Sequence, residues 1–503
     1  MKKLYLTTAL TLLACPVLAD ITPEELWESW QATMADMGAS LTAGQQERQG
    51  AVLVFHDVKT SVDTGYFNIE QVIDIMRLEA LADGSVAVSY DSDFGGGGTA
   101  TFPEAPTSNI TLSGDYSGTH GIVTGSANDY VYDFTIAAMN MTSVSGLSDD
   151  LESQTGVLTR ATSDNKFSDM SGQIHFTQTS AGMNMSYSFL IGKAIGSQDT
   201  ITELGGQNPQ IKQSQNSSVE GYSGDISLFL PHADPNAESG RFLRMGLTLD
   251  ARLAIEAFNL TQKTASPYLN MDVIFSQGSS NYGVSIDSDS ASLSGQGDAM
   301  EIEVNSSGFG PQPYRVAIAE NALAMSVPLY PDDALQEARY MVYLGGVTVN
   351  DTIWAIADPA GTLSHAPADF TLDASAAVQL LLDWTNFDTV KTWQGPPAIL
   401  NSVKLQDFLV AFENARLTGQ GEVQFSNDGP DPVPNGGQLN FNFSGVIALL
   451  DKLGSLPLVD PSITAGAKGM LGVFATSNGS DNLTSRIEFT HGGHISVNGQ
   501  QVK

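Results

Sequence analysis

The sequence predicts a mainly β protein: long curved antiparallel sheets with a few packed helices, becoming α+β towards the C-terminal end. Three observations predict it. Charged residues make up only 16% of the 503-residue chain, against about 25% in typical soluble domains. Polarity comes instead from Ser, Thr, Asn, Gln and 49 glycines, the makeup of strands and turns. Third, apolar residues recur at every second position over unusually long stretches. With 42% hydrophobic residues the chain can also build a sizeable core, which argues against wholesale disorder.

The first elements set an address and a helix. Lys2 and Lys3, an apolar run from Leu4 to Ala14, and Val17-Leu18-Ala19 before Asp20 form a signal-peptide pattern, with cleavage expected after Ala19. The rival pattern is a lipobox, Leu12-Leu13-Ala14-Cys15, with anchoring at Cys15; bulky Leu13 and the following Pro16 count against it. Cleavage after Ala19 removes the single cysteine, and with it thiolate chemistry and Cys-based zinc sites. Export to a periplasm is the expected localisation. No later run reaches 18 apolar residues, so no transmembrane span is expected. Next, Thr22-Pro23-Glu24-Glu25 reads as a helix start with N-cap, N1 proline and capping box. Leu26, Trp30, Met34 and Met37 follow at helical spacing, and Gly38 can end the helix. Carrying Trp27 and Trp30, this helix is either a lid or membrane-facing element, or one packed on the first sheet.

Strands follow. Met183, Met185, Tyr187 and Phe189 alternate with Asn184, Ser186 and Ser188, after a Ser180-Ala181-Gly182 turn that joins them to Ile174 and Phe176. The longest alternation spans 370–384, with Phe370, Leu372, Ala374, Ala376, Val378, Leu380, Leu382 and Trp384 on one face. At about 3.3 Å per residue it would run on the order of 50 Å. Ala415, Leu417, Gly419, Gly421, Val423 and Phe425 repeat the pattern, as do Leu439, Phe441 and Phe443. Two helices are expected among these strands, one over 445–453 capped by Ser444 and one from Asp460-Pro461 to about Ala475. Segments 92–102, 205–218, 305–313 and 427–437 read as loops. The expected organisation is a signal peptide at 1–19, a β-rich half at 20–305 opening with a helix, and a β-rich half at 306–503 with two helices.

The chemistry is mostly exclusion. A net charge of −34 repels nucleic acid and anionic membrane surfaces. There is no G-x-S-x-G, H-E-x-x-H, Walker or Rossmann pattern. Ser163-Asp164-Asn165-Lys166 matches S-x-x-K only formally, since the K-T-G partner is missing. His491-Gly492-Gly493-His494 offers two metal ligands without a third, or a terminal β-turn. Asp91-Ser92-Asp93 and Asp287-Ser288-Asp289 offer oxygen ligands to calcium outside any EF-hand pattern, or are solvated turns. No catalytic residue, cofactor or metal site is assigned, and no enzyme is expected. Phe370, Leu372, Val378, Leu380, Leu382, Val423, Phe425, Phe441 and Phe443 are the candidates for lining an apolar groove; the alternative is that they form a filled core.

One segment is more distinctive than its composition. Asp358-Pro359-Ala360-Gly361, behind Trp354, has type I turn preferences and leads into the long alternation. Together with Asn498-Gly499-Gln500 near the end and the Thr-Pro-Glu-Glu helix start, it resembles an exported bacterial family, the domain of unknown function numbered 2125. The resemblance covers nearly the whole chain and is weak over about 95–300. His365-Ala366 departs from the Arg-Asp-like pair expected before the proline. It implies no activity and transfers no catalytic residues. Through a more distant similarity to AsmA-like envelope proteins, it implies long curved sheets and a role in lipid passage or envelope maintenance. The expected partners are a lipid or an envelope protein. The two readings are an exported envelope protein that binds or passes an apolar ligand along its sheet, and a non-catalytic structural or assembly protein with a filled core.

Overall fold

The computed structural model describes residues 21–63, 67–90, 93–101, 107–147, 157–204, 210–232, 241–308, 310–429 and 431–502. The signal-peptide residues, Cys15 and Asp91-Ser92 lie outside them. The protein is mainly β, as expected: 27 strands join in one antiparallel sheet that runs almost sequentially through the chain. Among the described residues five helices accompany it: α1 (Pro23–Asp36), α2 (Asp351–Ala357), α3 (Phe387–Thr392), α4 (Val446–Leu453) and α5 (Pro461–Phe474), besides a single helical turn at Arg241–Arg244. The division expected near 306 falls between the strands Ser290–Ser306 and Tyr314–Pro328, which pair with each other within the sheet.

α1 forms as its start signal dictates. Thr22 Oγ1 accepts from Glu25 N–H at 3.2 Å, and the Glu25 carboxylate accepts from Thr22 N–H at 3.0 Å. Gly38, at φ +76, lets the chain turn away. Leu26 and Trp27 are buried against Leu53, Phe55, Leu78, Val86 and Val88, so α1 packs on the first strands. Trp27 stacks on Phe55 at 4.1 Å.

The middle strands are far longer than ordinary ones. Val157–Gln178 and Gly182–Leu204 have 22 and 23 residues, joined by the expected hairpin turn. They stay in register because every long strand bends at the same level. Gly118, Asp169, Gly221, Ala299 and Gly346 all have φ between +48 and +66. The crease also passes through Ala137, Gly192, Glu256, Gly278 and Ala319 on neighbouring strands. Asp169–Gly192 and Ala299–Ala319 are skipped in otherwise continuous pairings. Elsewhere the crease interrupts the strand outright, as between Thr248–Ile255 and Ala257–Ala265. A residue added at one level of adjoining strands bends the sheet and shifts side-chain alternation by one. Apolar residues therefore continue on one face through the crease, from Ile136 to Met139 and from Met170 to Phe167. Tyr90 and Tyr116, on opposite limbs, accordingly touch at 6.5 Å.

Several expectations are corrected. The glycine run expected as a loop forms the strand Asp93–Ala100. A Cβ on Gly96 or Gly98 would sit 2.2 or 2.0 Å from the carbonyl oxygens of Glu70 and Asn68, so only glycine fits this close pairing. Residues 210–218, 305–306 and 433–437 likewise belong to strands. The long alternation at 370–384 is a strand only over Ala368–Leu380; Asp383 then turns the chain by accepting from Thr385 N–H at 2.9 Å. The cap of α4 is left-handed Gly445, not Ser444. Its free N–H groups are satisfied from a distance, Ile447 and Ala448 donating to the Asp481 carboxylate at 2.9 Å each. α5 begins at Asp460 and Pro461 as expected.

Candidate functional site

Strand pairing turns the local alternation into continuous rows across the sheet. One row runs Phe134, Gly172, Phe189, Gly224, Leu253, Tyr282, Gly295. It continues Leu323, Val342, Leu372, Phe408, Gly419, Phe441. Every member is apolar or glycine. The adjacent row runs Tyr132, Ile174, Tyr187, Ile226, Ala251, Val284, Leu293 and then Met325, Tyr340, Ala374, Leu405, Gly421, Leu439. A third opens Tyr130, Phe176, Met185, Leu228, Leu249, Ile286. Thirteen strands at about 4.8 Å give the longest rows a length on the order of 58 Å.

The glycines in the first row are floor beneath rings. A Cβ on Gly172 would lie 2.6 Å from the Phe134 ring, one on Gly224 2.7 Å from Phe189, and one on Gly419 2.5 Å from Phe441. The rings thus lie over the backbone of the next strand, an aromatic–glycine pairing that pins register. Rings also touch in series from α1 outwards. Trp30 meets Tyr132 at 6.1 Å, and Tyr132 meets Phe134 at 5.6 Å. Tyr187 meets Phe189 at 5.1 Å, and Phe189 meets Tyr222 at 5.1 Å.

Charge is absent from this face. Among the described residues of the strands between Asp129 and Thr490, the Asp, Glu, Lys and Arg side chains that pair across the sheet sit on its reverse. Asp133 and Gln173 share one reverse row with Ser188, Asp225 and Arg252; Arg339 and Asp373 pair there at 2.8 Å. Burial pushes the phenols of Tyr90, Tyr116, Tyr132 and Tyr187 up, and that of Tyr130 up to about 12. They therefore stay neutral at physiological pH and add no charge.

Helices roof this face at its two ends. α1 covers it at the first strands, and α4 with α5 at the last. Among the described residues no helix packs on the middle, where Tyr282 and Tyr340 remain 38% and 44% exposed. Beneath α4 and α5 the roof is incomplete. Val410, Leu417 and Phe443 of the sheet and Leu450, Leu471 and Phe474 of the helices enclose an apolar cleft of about 460 Å³. Two open depressions of about 790 and 540 Å³ lie instead on the charged reverse, where His120, Asp133, Gln173 and Asp225 line the first. The middle of the apolar face is thus an open surface rather than an enclosed groove.

The structure places Phe370, Leu372, Val378, Leu380, Val423, Phe425, Phe441 and Phe443 on this one face, across neighbouring strands. Leu380 and Val423 are buried; Leu382, beyond the strand end, is buried too but outside the pairing. The candidates read from sequence are thus one end of a face whose larger part, from Phe134 to Tyr340, they omit. Gly172, Gly224 and Gly295, at alternating apolar positions, were the available signal, and they are informative only once strand register is known.

The motif around Trp354 is structural. Asp358 O accepts from Gly361 N–H at 3.1 Å, closing the expected turn. The buried Asp358 carboxylate accepts from Leu363 N–H at 2.7 Å and Thr362 N–H at 2.9 Å, and these bonds hold it below the usual carboxylate range. His365 stacks flat on Trp354 at 4.1 Å. Pro359 occupies the turn position after Asp358. At the other motif, Asn498 and Gly499 turn a hairpin with φ +50 and +80 before Gln500. Asn498 Oδ1 accepts from Arg486 N–H at 2.8 Å, and its Nδ2 donates to Phe474 O at 3.1 Å, which ties down the end of α5. His491–His494 forms a hairpin turn, and the Asp287 carboxylate is occupied by the N–H groups of Asp289 and Ser290. Among the described residues no three His, Cys, Asp or Glu side chains gather as a metal site.

No protein-family model matches the chain, and no curated protein matches it.

Proposed function

We propose that this chain is an exported envelope protein that binds or passes a lipid or another apolar molecule along the uncharged face of its sheet. The observation that carries the reading is the set of apolar rows, unbroken over thirteen strands and, among the described residues, roofed only at the ends. A chain with net charge −34 that keeps ionised side chains off one sheet face while leaving its middle open has a surface water does not favour. Acyl chains match such a surface, since they need area and no hydrogen bonds. The signal-peptide pattern and the resemblance to domain of unknown function 2125 and AsmA-like proteins support a periplasmic setting for this work. The test is native mass spectrometry of the chain purified from periplasm without detergent, followed by organic extraction. A reproducible lipid adduct is expected. A clean apo mass with no extractable lipid overturns the reading.

A second reading, a non-catalytic structural or assembly protein, is favoured by one feature. α5 exposes Ile463 and Val473 outwards, at 67% and 68% exposure. A photo-crosslinker at Val473 that captures one envelope protein, in a chain that carries no lipid, would establish that role.

A further inference from the structure

We infer that the apolar face is built for an amphiphile whose head is uncharged and rich in hydroxyl groups, a glycolipid rather than an anionic phospholipid. The inference rests on the lipid-binding reading and names its ligand class. Beyond the crease, the row of Met139, Phe167, Ala194, Val219 and Phe258 is still apolar. Four residues further out, about 13 Å along the strands, the same face changes character. Ser143, Ser163, Gln198, Gln215 and Gln262 pair in a row of hydroxyls and amides five strands wide, bounded by Leu112 on one side and Val273 on the other. Thr200, Gln213 and Thr264 form the next.

This wall differs from its own reverse in charge. In the same strands the reverse bears Asp164, Lys166, Asp199, Lys212 and Lys263. The wall carries none, so it offers no cation to a phosphate. It does offer unused hydrogen-bonding capacity. Among the described residues Gln198 spends one donor, on the Thr200 hydroxyl at 3.2 Å. Amides and hydroxyls that both donate and accept suit sugar hydroxyls, which do the same. Acyl chains on the apolar rows and a neutral sugar on the Ser/Gln wall would satisfy both halves of the face. An anionic head would bring its charge, unpaired, to a protein already strongly negative.

The experiment incubates the purified chain separately with vesicles of galactosyl diacylglycerol, phosphatidylcholine or phosphatidylglycerol with matched acyl chains, each dispersed in a common detergent-free host. Native mass spectrometry then counts the adducts. The galactolipid is expected to load about tenfold over each of the others. Gln215→Lys with Gln262→Lys, which place ammonium groups on the wall, should raise phosphatidylglycerol loading and remove that preference. Lys263→Gln on the reverse should change nothing. Equal loading of all three lipids, a preference for either phospholipid, or an unchanged preference in the lysine variant overturns the inference while leaving lipid binding intact. If none of the three lipids loads, the lipid-binding reading falls as well.

Discussion

The same apolar sheet face is closed in two different ways at its two ends. At the first strands α1 buries Leu26 completely and stacks Trp27 on Phe55, and its own start is closed by the Thr22–Glu25 box. At the last strands α4 and α5 stand over Val410, Leu417 and Phe443 but leave a cleft of about 460 Å³, and α5 turns Ile463 and Val473 outwards. An amphipathic helix ordinarily presents one apolar stripe to its core. α1 does so; α5 is apolar on both sides and carries Lys468 as its only charge. One end of the face is therefore a core and the other a roof, and only a roof leaves room for something to enter.

The comparison breaks most sharply by truncating the two covers. Trp27→Ala should cost about 3–5 kcal/mol, because it removes a stacked ring from a filled core and leaves a cavity. Leu471→Ala in α5 should cost about 1–2 kcal/mol, since part of its surroundings is already empty and no new cavity term applies in full. Urea denaturation of the two variants checks both; equal costs would mean that α5 is as tightly seated as α1. Next comes Leu380→Asp. Leu380 is buried at the edge of the apolar face, and an unpaired carboxylate there should destabilise the protein by several kcal/mol. Retained folding with loss of lipid adducts would instead mark Leu380 as a ligand-facing wall.

A smaller effect follows from the caps. Thr22 caps α1 with a neutral hydroxyl, whereas Asp460 caps α5 with a carboxylate that accepts from Ser462 N–H at 2.8 Å. That backbone hydrogen bond holds the Asp460 carboxyl below its ordinary value. A group lowered on folding stabilises the fold above its unfolded value, about 3.9 for Asp, and that contribution fades as pH falls through the folded value. Acidification through this range should therefore lower the hydrogen-exchange protection factors of α5, taken relative to the intrinsic rate at each pH, and Asp460→Asn should flatten the response. A wild-type profile in α5 that does not change below about pH 4 would contradict this.

What the sequence disclosed follows from how local each signal is. The α1 capping box and the Asp460-Pro461 start need only neighbouring residues, and both stand in the structure as read. Alternation disclosed Phe370, Leu372, Phe441 and Phe443 as members of one face, because period 2 is also local. The signals that failed depend on a partner strand. Gly96 and Gly98 look like loop residues until Glu70 and Asn68 lie against them. Asp169 and Ala299 give no sign of left-handed backbone, a conformation that costs such residues about 1–2 kcal/mol; it is imposed by the crease shared with adjacent strands. The row from Phe134 to Leu323 was hidden for the same reason, since Ser- and Gly-rich strands look polar until register aligns their few rings.

The smallest expected effect discriminates best between a roof and a core. Val473 is 68% exposed on α5, so Val473→Gln should change stability by less than about 0.5 kcal/mol, within the range of ordinary surface substitutions. If α5 is only a roof over the cleft, lipid loading should also be unchanged, because Val473 is not among the residues that line the cleft. If instead α5 admits the ligand from a lipid surface, its outward residues meet that surface first. Loading from vesicles should then slow several-fold while loading from detergent-dispersed lipid stays the same. Measuring both rates on this one variant separates a passive cover from an entry helix, a distinction that the larger effects at Trp27 and Leu380 cannot make because both act on the fold.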